Sequence, residues 1–359
     1  MVSYDTGTAR CARLALLLAG VGARCRRLLA ADSCPDGPLE ALERGGAPAA
    51  VAGAAARLLR ESVPDLLARL DGIGWRWLVP ADADYPERLR STADPPLGLF
   101  VRGRLAAGPA VAVVGSRAAT PYGRQVARLL GEQLGRANVV VVSGMARGVD
   151  ACAHEGALAA GGATWAVWGS GPDQIYPPEH GRLAEAIAAA GALLSEYPPG
   201  TPPRRHHFPE RNRLIAGLAD ATVVVEAAAG SGALGTARQA VEEGREVFAV
   251  PGGIFSELSV GPNTLLRLGA RPLLTARDVL EVVAPGAARA ADAGAGRPDD
   301  GWLLARLPAG TARTVDELAA GASVALPVLL PELLRLELAG VVERLPDGRF
   351  ARRSGNGAS

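Results

Sequence analysis

Four glycine-rich segments carry groups that could bind an anion. Each follows a short apolar run, and two of them contain an arginine. Backbone N–H groups at a tight turn before a helix attract anions, and a guanidinium adds a forked donor suited to phosphate. One such turn is often a plain connection, but four of them favour a phosphate-rich ligand. The segments are Gly115-Ser116-Arg117, Ser143-Gly144-Met145-Ala146-Arg147-Gly148, Gly169-Ser170-Gly171 and Gly230-Ser231-Gly232.

The densest basic stretch is residues 204–213, RRHHFPERNR, which contains one phenylalanine. Arginines can hold a nucleic-acid backbone while an unpaired base stacks on Phe208, an arrangement that suits a single strand. The alternative is a solvated loop whose Phe208 fills the core. The combination of cations and a ring favours nucleic-acid contact.

Several other chemistries are disfavoured. The chain has no lysine, which excludes a phosphate loop of the G-x-x-x-x-G-K-[ST] kind and a Schiff-base lysine. Residues 230–235 fit G-x-G-x-x-G, but no ribose-binding carboxylate ends the next strand, so we expect no dinucleotide cofactor. The spacing supports no nucleophile with its base. We therefore expect a binding protein with no catalytic residues.

Asp150, His154 and Glu155 raise the question of a metal site, because Asp150 and His154 lie one helical turn apart. The sequence provides no third ligand at a fixed spacing, and Asp150 can cap a helix that starts after Gly148. We predict a structural role for these residues and no metal.

The overall composition adds weak constraints. The net charge is +1, so any basic surface must be local. Cys11, Cys25, Cys34 and Cys152 form no C-x-x-C pair, which indicates reduced thiols in a cytosolic protein. The apolar run at residues 14–18 is too short for a membrane span and has no cleavage site after it. We expect a cytoplasmic protein with no membrane partner.

Apolar runs and helical stretches alternate regularly from residue 111 to residue 283. The apolar runs are continuous, as expected for strands covered by helices on both faces. The pattern predicts an α/β fold with an open parallel sheet, which brings the four glycine-rich segments to one edge. The predicted strands are Val111–Val114, Val139–Val142, Thr164–Trp168, Ala192–Ser195, Ala221–Val225 and Glu246–Val250. The predicted helices are Tyr122–Leu134, Asp150–Ala159, Gly181–Ala190, Arg211–Leu218 and Ala233–Glu243.

The regions on either side of this core indicate further domains. Residues 1–72 read as a helical module, SAM-like or helix-hairpin-helix-like, with helices at Ala12–Leu18, Arg24–Ala30, Ala49–Arg60 and Val63–Leu70. Residues 73–283 form the main domain, whose core is 111–283. Residues 284–301 have the composition of a flexible linker. Residues 302–352 predict a winged helix, and residues 353–359 a disordered tail.

The ordered set of motifs resembles the DNA-processing protein A (DprA, or Smf) family over nearly the whole chain. The segments that carry the resemblance are Tyr85-Pro86 with Pro95-Pro96, VAVVGSR (111–117), SGMARGVDACAH (143–154), GSGPDQIYPPEH (169–180), SEYPPG (195–200), FPERNRLIAGL (208–218), VVVEA (223–227), SGALGTARQA (231–240) and VFAVPGG (247–253). Asn263, Leu266 and Gly269-Ala270 continue it.

The resemblance implies an extended Rossmann-like domain that binds single-stranded DNA, protects incoming strands and loads RecA recombinase onto them during DNA uptake and natural transformation. It also implies a homodimer and no enzymatic activity. Arg117 and Arg205 would hold phosphates, and Phe208 would stack on a base. The full predicted binding set is Gly115, Ser116, Arg117, Gly144, Arg147, Gly169, Arg205, Phe208, Arg211, Asn212, Arg213 and Ser231.

Two departures from the family pattern affect these expectations. Trp168 and Pro172 replace smaller or aliphatic residues beside the GSG turn, which would reshape the rim of the pocket. Pro327 and Pro331 lie in or before the expected recognition helix, whose basic residue is Arg335. A helix so poor in cations is a weak groove reader, so we expect it to contact protein.

Two alternative functions remain open at this level. A nucleotide phosphoribohydrolase of similar fold would need a Pro-Gly-Gly…Gly-Thr loop with a catalytic glutamate. Here Gly235-Thr236 precedes Pro251-Gly252-Gly253, so the order is wrong. The other alternative is a docking scaffold that works through the terminal domains.

Overall fold

The computed structural model describes residues 6–20, 51, 54–58, 62–288, 303–308, 310–322, 326–338 and 340–353. The chain divides into two units, residues 1–288 and 289–359. Among the described residues, no helix combines the length and the apolar character needed to cross a bilayer.

A nine-stranded sheet forms the centre of the first unit, in the order β1-β2-β6-β5-β4-β3-β7-β8-β9. The six core strands lie within one residue of their predicted bounds at each end. The strands are β1 (Trp75–Leu78), β2 (Leu99–Gly103), β3 (Ala110–Val114), β4 (Val140–Ser143), β5 (Thr164–Trp168), β6 (Ala192–Ser195), β7 (Ala221–Val224), β8 (Glu246–Ala249) and β9 (Arg271–Pro272).

The parallel sheet predicted for residues 111–283 is confirmed, and two further strands extend it in the antiparallel direction at one edge. Strands β3 to β9 pair in parallel, but β2 pairs antiparallel with β6, and β1 antiparallel with β2. Both edge strands come from the segment before the strand–helix alternation. A strand that joins from outside this series is free of the crossover connection that keeps neighbours parallel. The sheet is therefore mixed and mostly parallel.

Helices cover both faces of the parallel part. One core cluster contains Ala110, Ala112 and Val114 of β3, and the other contains Val111 and Val113. Because side chains alternate along a strand, β3 is buried on both sides, which explains its continuous apolar run. The helices of the first unit are α1 (Thr6–Leu18), α2 (Val63–Gly72), α3 (Glu87–Arg90), α4 (Pro121–Arg136), α5 (Val149–Ala159), α6 (Gly181–Ala190), α7 (His207–Leu218), α8 (Gly232–Glu242), α9 (Val260–Arg267) and α10 (Ala276–Val283).

The strand order reverses direction at β3. The chain adds β4, β5 and β6 on one side of β3, and β7 and β8 on the other. The crevice between β3 and β7, at their carboxyl ends, is where open α/β sheets bind ligands.

Helix α7 begins four residues earlier than predicted, at His207 instead of Arg211. Its first turn contains Pro209, a position where proline is tolerated because the first amides of a helix have no internal partner. Phe208 therefore stands on a helix and not in a free loop.

The N-terminal module is described in part. Helix α2 agrees with the predicted Val63–Leu70, whereas α1 ends at Leu18 as predicted but begins at Thr6, six residues earlier than Ala12. Residues 54–58, within the predicted helix Ala49–Arg60, are also helical. The predicted helix at Arg24–Ala30 lies outside the described residues. At the other end of the first unit, residues 285–288 are helical and Ala288 is buried, so ordered structure continues past the predicted start of the linker.

The described residues of the second unit include helices α11 (Val315–Ala322) and α12 (Leu326–Leu338), short helical structure at residues 303–304, and a three-stranded sheet of β10 (Ala312–Arg313), β11 (Val342–Arg344) and β12 (Phe350–Arg352). Strands β11 and β12 pair antiparallel and form a hairpin. On α12, Arg335 forms an ion pair with Glu332 of the same helix at 2.6 Å. An intrahelical pair leaves little charge for a nucleic-acid groove, and the role of this helix in protein contact stays a prediction.

Candidate nucleic-acid interface

A cleft of about 820 Å³ lies at the carboxyl ends of β3 and β7, on the side of α7 and α8. It occupies the crevice where the strand order reverses. Most of the predicted binding residues line it: Gly115, Ser116, Arg117, Arg205, Phe208, Arg211, Asn212 and Ser231.

Phe208 forms the aromatic surface of the cleft. Its ring is half-buried and lies 5.4 Å from the ring of Tyr176, at an interplanar angle of 42°. A Cβ atom on Gly169 would come within 3.1 Å of the Phe208 ring, so the glycine lets the ring pack close to this turn. Gly169 thus supports the ring from behind and does not line the cleft.

Arg117 stands on the loop after β3, and its guanidinium carbon lies 4.7 Å from the centroid of the Phe208 ring. The loop is tightly placed, because a Cβ on Gly115 would come within 2.6 Å of the Val149 side chain. Ser116 N donates to the Glu226 carbonyl at 2.7 Å. Arg117 itself is exposed.

Arg205 is exposed just before α7 and lines the same cleft. Within the described part of the chain, neither Arg117 nor Arg205 forms an ion pair. Two guanidinium groups beside an aromatic ring can therefore bind phosphates without first breaking an ion pair to a carboxylate.

The start of helix α8 forms another wall. Ser231 caps this helix and accepts a hydrogen bond from Ala233 N at 3.3 Å. Asn212 Nδ2 donates to the Gly232 carbonyl at 3.1 Å and ties α7 to this turn. The positive end of the helix dipole therefore faces the cleft, which favours an anionic ligand.

Arg211 lies at the floor of the cleft with 3% of its surface exposed. It donates to the Val167 carbonyl, and a Cβ on Gly144 would lie 2.4 Å from its guanidinium. Burial lowers the pKa of Arg211 to about 10, and the nearby Asp150 acts in the opposite direction. Arg211 and Gly144 are thus packed into the interior, so we assign them a structural role in place of the predicted contact with DNA.

Asp150 is the buried anion near Arg211. Its Oδ2 accepts hydrogen bonds from Gly144 N at 3.1 Å and from Ala146 N at 3.3 Å. Burial raises the pKa of Asp150, while Arg211 and the two amides oppose this rise. Asp150 therefore fixes the turn after β4.

Two other predicted residues lie outside the cleft lining. Arg147 is exposed and forms an ion pair with Glu179 at 2.5 Å. Arg213 is bonded to Glu196 and donates to the Asp94 carbonyl at 2.6 Å. Both guanidinium groups already have partners, so neither is a free phosphate donor in this structure.

His154 forms a hydrogen bond in the interior of the protein. Its Nδ1 lies 2.6 Å from Thr164 Oγ1, whose hydroxyl donates to the Val141 carbonyl at 2.8 Å. Because the Thr164 proton is used there, Nδ1–H of His154 is the donor. Among the described residues there is no group of three His, Cys, Asp or Glu side chains that could hold a metal ion.

Tyr176 and Thr236 also line the cleft, although neither belongs to the binding set predicted from the sequence. Tyr176 follows the GSG turn after β5, and its contact with Phe208 depends on how that loop folds back. Thr236 follows Gly235 in the chain. Because α8 begins at Gly232, Thr236 lies one helical turn further along and is buried on the side of the helix that faces the cleft.

The chain matches known families and structures. It matches the family model described as DNA recombination-mediator protein A over residues 76–284, and that of the DprA winged helix domain over residues 285–348. It is 42% identical over 284 residues to Protein Smf of Escherichia coli (strain K12), with 76% of each chain covered.

Two solved structures have a similar fold. The X-ray structure of DNA processing protein A from Streptococcus pneumoniae has a TM-score of 0.69 and 34% identity, covering 75% of this chain and 96% of that chain. DNA processing protein A from Helicobacter pylori, reported to have a unique single-stranded DNA binding mode, has a TM-score of 0.53 and 29% identity. That match covers 59% of this chain and 97% of the other.

Proposed function

The chain belongs to the DNA processing protein A (DprA/Smf) family, and from this membership we propose that it binds single-stranded DNA in the cleft between β3 and β7. The observation that carries the proposal is the placement of Arg117, Arg205 and Phe208 in one cleft. Two guanidinium groups provide phosphate contacts, and the ring provides a stacking surface. The reported DNA binding of the Helicobacter pylori relative supports the same ligand class.

The aromatic surface favours a single strand over a duplex. Bases in a duplex are stacked on their neighbours, so their faces cannot reach Phe208 without unpairing and unstacking. An unpaired strand exposes base faces along its length and can follow a basic groove. The ligand is therefore a single strand with little sequence preference.

We further propose that the bound strand is passed to RecA recombinase, as a mediator step in DNA uptake and natural transformation. The family description as a recombination mediator supports this role. In this proposal the protein works in the cytoplasm as a homodimer, so that two clefts hold one strand and avidity strengthens binding.

The test is an equilibrium titration of the purified chain with labelled oligo-dT and with a duplex of equal length, at two salt concentrations. We expect strong preference for oligo-dT and weaker binding at the higher salt concentration, because phosphate contacts release counterions. Equal affinity for the two ligands, or no binding, would reject the proposal.

We propose a binding role without catalysis. Asp150 provides the carboxylate among the residues that line the cleft. This carboxylate already accepts hydrogen bonds from two backbone amides and lies near Arg211. Thr236 is followed by Ala237-Arg238-Gln239, so the carboxylate that a phosphoribohydrolase needs is not next to it. Release of free base from nucleoside monophosphates by the purified chain would overturn this part of the proposal.

A further inference from the structure

Glu226, directly after β7, contacts both ends of the loop that carries Arg117. Its backbone carbonyl accepts a hydrogen bond from Ser116 N at 2.7 Å. Its carboxylate accepts one from Thr120 N at 2.9 Å and another from Thr120 Oγ1 at 2.5 Å. Only 4% of the surface of Glu226 is exposed. A buried carboxylate that receives two hydrogen bonds from one residue fixes that residue firmly.

The start of helix α4 is shaped around this carboxylate. A Cβ atom on Gly123 would lie 2.2 Å from Glu226 Oε2, so a larger residue would displace the carboxylate. Thr120 Oγ1 also accepts a hydrogen bond from Gly123 N at 3.1 Å and caps the helix. Glu226 is therefore linked through Thr120 to the first turn of α4.

The segment between the two anchor points consists of Arg117, Ala118 and Ala119. Ala119 is buried in the core. Ala118 N donates to Ser116 Oγ at 3.1 Å, and Val149 N donates to the Ser116 carbonyl at 3.2 Å. The Ser116 end is thus held by several backbone contacts, whereas the other end is held by Ala119 and by the bonds from Thr120 to the Glu226 carboxylate. Arg117 is the charged residue of this segment, and it faces the cleft. Loosening at Thr120, the end of the loop that the Glu226 carboxylate holds, therefore changes the position of the guanidinium.

We propose that Glu226 is a positioning residue that holds Arg117 in place for a DNA phosphate, an inference that rests on the proposed single-strand binding. The charge of Glu226 itself repels DNA. Removing a carboxylate near a phosphate site strengthens binding if charge alone matters. Loss of positioning weakens binding, so the two effects have opposite signs.

The experiment measures oligo-dT affinity over a range of salt concentrations for Glu226→Ala, Glu226→Gln and Glu185→Ala. Glu226→Ala should weaken binding about tenfold and lower the salt slope by about 0.7, the value for one lost single-strand phosphate contact. Glu226→Gln removes the charge but keeps groups that can bond Thr120, so it should restore affinity and slope. Glu185→Ala is the charge-matched control, because Glu185 pairs with Arg102 outside the cleft. It should retain the wild-type slope.

A double-mutant cycle separates positioning from general damage to the fold. If Glu226 acts through Arg117, then Glu226→Ala should add no further loss in an Arg117→Ala background. Additive losses, an unchanged slope in Glu226→Ala, or a Glu226→Gln variant as weak as Glu226→Ala would overturn the inference. If the wild-type chain does not bind oligo-dT, the proposed function fails and this inference fails with it. Wild-type binding with an additive cycle rejects the inference alone.

A second pair of variants tests the same contact if Glu226→Ala does not fold. Thr120→Val removes the hydroxyl that donates to Glu226, and Thr120→Ser keeps it. We expect a loss of about threefold in oligo-dT affinity with a lower salt slope for Thr120→Val, and wild-type values for Thr120→Ser. Equal behaviour of these two variants would also reject the inference.

Discussion

The guanidinium of Arg117 lies over the ring of Phe208, with 4.7 Å between the guanidinium carbon and the ring centroid. A base that stacks on this ring face has to displace the guanidinium. A cation–π contact at an exposed site contributes about 0.5–1 kcal/mol, whereas a base stacked on an aromatic side chain contributes about 1–3 kcal/mol. In the proposed complex this exchange would therefore be favourable, and it would release Arg117 to a phosphate.

Replacing Phe208 tests the stacking surface. Phe208→Ala should weaken oligo-dT binding by roughly 1–3 kcal/mol, about fivefold to 150-fold, while the salt slope stays constant, because no charge is removed. Phe208→Trp should bind nearly as well as the wild type. Phe208→Leu retains apolar contact with Tyr176 but has no π face, so it should resemble Phe208→Ala. Fluorescence anisotropy at several salt concentrations measures both quantities. Strong binding by Phe208→Leu would contradict stacking.

Replacing the arginines tests which of them contact phosphate. Arg117→Ala and Arg205→Ala should each lower the slope of log affinity against log salt by about 0.7, since each removes a released counterion. Arg147→Ala is the matched control, because Arg147 is also exposed but pairs with Glu179 outside the cleft. Its slope should equal that of the wild type. A slope that falls in Arg147→Ala, or stays constant in both cleft variants, would contradict the assigned site.

The sheet core was predictable because its strands are buried on both faces. Val111 and Val113 contact one helical layer, and Ala112 and Val114 the other, so the whole run is apolar. The antiparallel edge was not predictable in this way. Strand β2 pairs with β6, whose residues lie about ninety positions later in the chain. Local patterns do not encode such a pairing.

The location of the cleft was predictable from the sequence, but the orientation of each side chain in it was not. The glycine turns after β3 and β7 meet because parallel strands share one edge. The burial of Arg211 was not anticipated, because the helix was expected to begin at this residue. It precedes Leu214, Ile215 and Leu218 by three, four and seven residues, so it shares their buried helix face. This spacing is the sequence signal that identifies Arg211 as an interior residue.

Arg211→Met should lower the free energy of unfolding and leave the salt slope of oligo-dT binding unchanged. The change removes a charged hydrogen bond to the Val167 carbonyl and leaves Asp150 without its nearby cation. We expect a loss of about 3 kcal/mol in the free energy of unfolding, measured with urea. Arg147→Met, in an exposed ion pair, should change it by less than about 1 kcal/mol. At a temperature where Arg211→Met is folded, its salt slope for oligo-dT should match the wild type. A normal stability with a lower slope would show that Arg211 contacts DNA.

His154 should make the fold less stable as the pH falls. The imidazole is fully buried, and burial is the largest cause that lowers its pKa to about 3, with His180 and Arg211 acting in the same direction. In the unfolded chain the His154 imidazole binds a proton near the ordinary pKa of about 6.5, whereas in the folded chain the same imidazole stays neutral at that pH. Stability contributed by the neutral imidazole is complete above that value and falls by up to about 1.4 kcal/mol per pH unit below it.

His154→Gln removes this titration and leaves His180, His206 and His207 in place. The free energy of unfolding in urea, measured at pH 7.5, 6 and 5, should therefore depend less on pH for His154→Gln than for the wild type. The variant should be less stable at pH 7.5, because its bond to Thr164 is altered. Parallel profiles for the two proteins would mean that His154 is not held neutral in the folded chain.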